Sequence, residues 1–124
     1  MVVKVPGTEE ILRSALDEWR AGIDAGEPER VAAVFTEDAV FQGLRPYSVG
    51  RHGVADYYAS QARGMTVTYR ILETRRPTED LVLGYVLADF VFPERPAVSL
   101  NLGVLVTHTD GGWRILHYQV SPAV

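Results

Sequence analysis

The sequence contains no cysteine, which excludes disulfides, thiolate metal sites and a cysteine nucleophile, so the fold rests on packing. No stretch approaches the roughly 20 apolar residues that span a bilayer. The opening MVVKVPG is too short, and broken too early by Pro6 and Gly7, to act as a signal peptide; a cytoplasmic protein with no membrane partner is expected. Basic charge is scarce. Twelve Lys+Arg against 16 Asp+Glu give a formal net charge of −4, and Arg75-Arg76 with Arg13 and Arg20 are too few for a nucleic-acid footprint. The three histidines, His52, His108 and His117, form no i, i+4 pair and have no clustered carboxylates near them in sequence. No metal site is expected. Gly111-Gly112 lacks the spacing of a phosphate cradle, and no organic cofactor is expected.

What is present is a chain of 124 residues that is 47% hydrophobic. That excludes disorder and suits one domain over residues 1–124, large enough for one core and one pocket. Helical patterns come first and strand patterns follow, the order of an α+β fold. The first helix opens at Thr8, whose hydroxyl is expected to cap it, with Glu9 and Glu10 at the positive end of its dipole. Ile11, Leu12, Ala15, Leu16, Trp19 and Ile23 recur at three- and four-residue spacing and form one apolar stripe. Gly26 stops this helix near Ala25. Pro28 starts a short second helix containing Val31, Ala32, Val34 and Phe35, which Thr36-Glu37-Asp38 ends.

Residues 39–42 form a short strand, residues 43–50 a loop, and residues 51–61 a third helix with Val54, Tyr57 and Tyr58 on one face. Alternation over residues 65–76 predicts a half-buried strand. A turn at 77–80 leads into residues 81–92, which are apolar on both parities and so predict a strand covered on both faces. Strands at 97–108 and 113–121 follow, joined at Asp110-Gly111-Gly112. The sum is a four-stranded antiparallel meander, with short early strands, packed on the helices.

A few polar residues interrupt the apolar late strands, and burying them unpaired would cost about 1–3 kcal/mol each. Asp89 and His117 are the candidate catalytic pair, the carboxylate orienting the imidazole as a general base. Asn101 and Gln119 are candidate ligand contacts, Gln119 sharing one face of the last strand with His117. The bland alternative makes His117 and Gln119 satisfied structural groups and turns Asp89 to solvent or an interface. Among the aromatics, Trp19, Tyr47, Tyr58 and Tyr85 are candidate walls of a pocket for a planar, apolar ligand. Core packing is the competing role for Trp19.

Two segments carry a resemblance. Gly26-Glu27-Pro28-Glu29, a short helix and Phe35-Thr36-Glu37-Asp38-Ala39-Val40-Phe41 resemble the opening of the SnoaL-like, nuclear-transport-factor-2-like superfamily. Asp110-Gly111-Gly112-Trp113-Arg114-Ile115-Leu116-His117-Tyr118-Gln119-Val120-Ser121 resembles its close. The chain is most similar to the SgcJ/EcaC-type proteins, and after them to the association domain of calmodulin-dependent kinase and to ketosteroid isomerases. The resemblance implies a cystatin-like cone: a curved sheet wrapped around the first helix, a cavity in its open end, and a homodimer through the outer sheet face. It implies either binding of a small hydrophobic or aromatic molecule, with or without cofactor-independent cyclase or isomerase chemistry, or a non-catalytic association module.

Ketosteroid isomerase chemistry itself does not fit. Its aspartate base would fall at Gln42-Gly43-Leu44, its protonated aspartate at Gly103-Val104-Leu105-Val106, and its tyrosine near Leu16 to Trp19. None of these stretches supplies the required residue.

Overall fold

The computed structural model describes residues 7–123; the opening read above as no signal peptide lies outside them. Three helices and six strands follow in chain order: α1 (Thr8–Asp24), α2 (Pro28–Ala32), β1 (Phe35–Gln42), β2 (Ser48–Val49), α3 (Arg51–Ala59), β3 (Thr66–Thr78), β4 (Leu81–Phe92), β5 (Arg95–Thr109) and β6 (Gly112–Pro122). The strands form one curved sheet in the order β2-β1-β6-β5-β4-β3. Neighbours pair antiparallel except β1 with β6, which run parallel. No helix among the described residues is long and apolar enough to cross a membrane.

The apolar stripe of α1 is the organising element. Ile11, Leu12, Ala15, Leu16, Trp19 and Ile23 are all buried, against the inward-facing Val82, Val86, Leu102 and Val104 of the central strands. Gly84 of β4 lies under this helix, where an added Cβ would come within 2.5 Å of Leu12 Cδ2. Polar contacts fix the helix against β3. The Val67 N–H donates to Asp24 Oδ1 at 3.0 Å, and the Tyr69 hydroxyl donates to the Asp17 carboxylate. The helix ends where expected, with Gly26 at a φ of 68°, a conformation most side chains avoid.

Several local expectations are corrected. The N-cap of α1 is Gly7, with no side-chain cap bond. Thr8 is already helical, and its hydroxyl accepts a hydrogen bond from Arg76 at 3.3 Å. Phe35 belongs to β1, where it pairs with Ile115 of β6; pairing and full burial override the helical spacing of Val31, Val34 and Phe35. Pro77 lies inside β3, which a sheet edge allows because a missing N–H disrupts no second ladder. The helices cover only one face of β4. Leu83, Tyr85 and Val91 on its other face are exposed.

Candidate functional site

Alternation decides what faces inward. On β4 the even-numbered residues Val82 to Phe92 are buried, and on β5 Leu100, Leu102, Val104 and Val106 are. On β6 the inward residues are Ile115 and Tyr118, three apart rather than two. The register explains this spacing: Val106 pairs with Ile115 but Leu105 pairs with His117, leaving one extra residue as a bulge that resets the parity.

Between this concave face and α3 lies a hollow of about 360 Å³, within the range of small-molecule sites. Tyr58 and Tyr118 line it, Phe90, Phe92, Leu100 and Met65 contribute apolar surface, and Leu44, Tyr57, Gln61 and residues 95–98 complete it. Two depressions share residues with it, one of about 480 Å³ beside residues 22–28 and 59–65 and one of about 560 Å³ between Ala62, Arg63 and residues 92–95. Only the ring-lined hollow, of the three, reaches Leu100 and Tyr118 of the central strands.

The rings support one another. Tyr118 stacks on Phe41 at 4.8 Å between centroids, and Trp19 lies 5.9 Å from Tyr118 and 6.0 Å from Phe90. Trp19 Nε1–H donates to the Tyr58 hydroxyl oxygen at 3.0 Å. Tyr57 accepts the Leu44 N–H at 3.1 Å, which ties the 43–50 loop to α3.

Burial pushes the Tyr58 phenol above its ordinary range, against the opposing pull of hydrogen bonds from Tyr118 and Trp19. Burial also raises Tyr118, reinforced by Tyr58. Both therefore remain protonated donors at neutral pH rather than bases. The Tyr58 oxygen accepts the Trp19 Nε1–H and keeps its own proton for a further partner. At the hollow's edge, the Arg95 guanidinium lies 3.9 Å over the Phe92 ring.

Among the sequence-predicted residues, Tyr58 lines the hollow. Trp19 is fully buried behind the hollow's wall, where it touches Tyr58, Tyr118 and Phe90 without lining the hollow itself. Tyr47, 66% exposed, stands on the loop before β2, and Tyr85, 44% exposed, is on the convex face. Asp89, Asn101, His117 and Gln119 also take the outward parity, opposite Ser99, Leu87, Leu105 and Gly103 respectively. Ser99 donates its hydroxyl to Asp89.

The expected meeting of Asp89 and His117 in the cavity is thus corrected. The row of His117 crosses β4 at Leu83, six residues along the strand from Asp89, which at 3.3 Å per residue is about 20 Å. No carboxylate or imidazole lines the hollow among the described residues, and no group of three His, Asp or Glu able to hold a metal occurs among them.

Sequence reasoning missed Tyr118, Phe90, Phe92, Leu100 and Arg95. The readable signal was the unbroken apolar even series on β4. An apolar hollow is built from the apolar parity, whereas the polar residues that interrupt the late strands lie on the other. Tyr118 stands between His117 and Gln119, so choosing their face excluded it.

No curated protein matches the chain. Solved structures match its fold. A domain with a cystatin-like fold from Nostoc punctiforme PCC 73102 superposes with a TM-score of 0.84 at 19% identity, covering 98% of this chain and 80% of that one. A ketosteroid isomerase-like protein from Erwinia carotovora atroseptica SCRI1043 gives 0.77 at 19% identity, with 92% and 95% covered. The family model of the SnoaL-like domain matches residues 12–124. With the sheet, the wrapped helix and the hollow all in place, the chain belongs to the SnoaL-like family, within the nuclear-transport-factor-2-like superfamily.

Proposed function

We propose that this protein binds a small, largely apolar, ring-bearing molecule in the 360 Å³ hollow, with a hydrogen-bond acceptor of that molecule docked on Tyr58. The observation that carries this reading is the Tyr58 hydroxyl, which accepts the Trp19 Nε1–H and stands on an otherwise ring-lined wall. A carbonyl there replaces the water that would otherwise satisfy the phenol proton. A cyclase or isomerase built on Asp89 and His117 is not part of this reading, since neither lines the hollow.

Fluorescence titration with N-phenylnaphthylamine tests it. Saturable binding is expected, and Val98→Trp, which places an indole in the hollow, should weaken it by more than about tenfold. Competition by tetralone should fall about five- to tenfold in Tyr58→Phe, the value of one hydrogen bond. Binding indifferent to Val98→Trp would exclude this hollow as the site.

A second reading, an association module, has its own observation. Leu83, Tyr85 and Val40 are exposed on the convex face, and Leu87 and Leu105 share that parity. We place the contact surface of a homodimer there. Sedimentation should show a dimer that Tyr85→Lys converts to monomer, because an ammonium opposite its symmetry mate cannot be buried unpaired. A wild-type monomer at high protein concentration would refute this contact.

A further inference from the structure

The hollow differs chemically between its Tyr58 wall and its Arg95 edge. Apart from Arg95 the hydrogen-bonding side chains are uncharged, the phenols of Tyr57, Tyr58 and Tyr118 and the Gln61 amide; Phe90, Leu100 and Met65 supply apolar surface; and Arg95 is the only charged residue in the lining. The Arg95 guanidinium lies 3.9 Å from the centroid of the Phe92 ring. Stacking of this kind occupies the face of the guanidinium and leaves its in-plane N–H groups directed sideways, where they can meet a planar anion two at a time.

No carboxylate lies within ion-pair distance of Arg95 among the described residues, although Glu94 is its chain neighbour. Arg13, Arg20, Arg51 and Arg75 each pair with an acid; what sets Arg95 apart from the other arginines without an ion pair is its place in the lining of the hollow. Arg63 lines the adjoining depression together with Arg95. A chain with a net charge of −4 thus presents beside its hollow two guanidinium groups that have no ion-pair partner among the described residues.

We infer that the ligand of this hollow is an apolar ring compound bearing an anionic group, a carboxylate or sulfonate, held by Arg95 at the end away from Tyr58. This rests on the pocket reading proposed above and adds the ligand's charge and polarity. The apolar body packs against Phe90, Phe92 and Leu100, its acceptor meets Tyr58, and its anion meets the free edge of Arg95.

The test compares anilinonaphthalene sulfonate with its uncharged parent, N-phenylnaphthylamine, which share the same ring body. A purely apolar hollow prefers the uncharged parent, being the less soluble of the two. Here the sulfonate should bind about tenfold more tightly. Arg95→Gln should bring the affinity ratio to one or below, Arg95→Lys should restore part of it, and Arg70→Gln on the convex face should leave it as in the wild type. Added salt should reduce the ratio.

Equal or tighter binding of the uncharged parent, or a ratio that survives Arg95→Gln, would overturn the anionic assignment while leaving the hollow as the site, provided Val98→Trp blocks both probes. Saturable binding of neither probe, or indifference of both to Val98→Trp, would overturn the pocket reading and this inference together.

Discussion

Trp19→Ala is expected to cost about 3–5 kcal/mol, the range for removing a large buried aromatic from a core that cannot collapse around the space. The indole is fully buried, edge-on to Phe90 at 6.0 Å and tilted against Tyr118 at 5.9 Å. Those rings hang from different strands, so neither can follow the other inward when the indole goes. The loss is a large share of the roughly 5–15 kcal/mol that holds a domain of this kind folded. Trp19→Phe separates the two roles of the residue. It keeps most of the ring volume but removes the Nε1–H that donates to Tyr58 at 3.0 Å. It should cost about 1–2 kcal/mol and weaken tetralone binding by a larger factor than N-phenylnaphthylamine binding. Urea denaturation monitored by circular dichroism measures the first effect. A loss below 1 kcal/mol for Trp19→Ala would show that the indole is not the central packing element.

Gly84→Val should also destabilise, against the strand preference of valine. In a central strand, valine for glycine ordinarily gains through packing and a lower entropic cost. Here the new Cβ would lie 2.5 Å from Leu12 Cδ2 and 2.8 Å from Cδ1. Leu12 is fully buried, so its side chain has nowhere to swing without moving α1. Overpacking of this kind costs about 1–3 kcal/mol. The cause is checked by a double mutant: Leu12→Ala alone costs about 2–5 kcal/mol, but combined with Gly84→Val the total should fall short of the sum by at least about 1 kcal/mol. Strict additivity would mean the strain lies elsewhere.

These two positions show what sequence patterning could and could not reveal. The stripe on α1 is legible because its period is long and unbroken, the strand over residues 81–92 because it is a continuous apolar run bounded by turns, and the meander follows from the turns between the strands. Phe35 was not: its spacing from Val31 and Val34 is helical, and only pairing with Ile115 makes it a strand residue. The site was harder still. Polar residues on the late strands suggested chemistry, yet the hollow is formed by the opposite, apolar parity. The bulge between the partners of Leu105 and Val106 shifts Tyr118 inward, and no local composition marks where a strand will carry an extra residue. Tyr58 was found because α3 places it by simple helical period. Arg95 fell between the strands read over residues 81–92 and 97–108, although it is the first residue of β5.

The parallel pairing of β1 with β6 has a kinetic consequence. β3, β4 and β5 join their sequence neighbours through short turns, whereas β1 must bring Val40 beside His117. Enclosing so long a span carries a length-dependent entropy cost of about 4 kcal/mol, by the logarithmic scaling of loop closure. Loop closure therefore places the docking of β6 on β1, and with it the stacking of Phe41 on Tyr118, after the local hairpins.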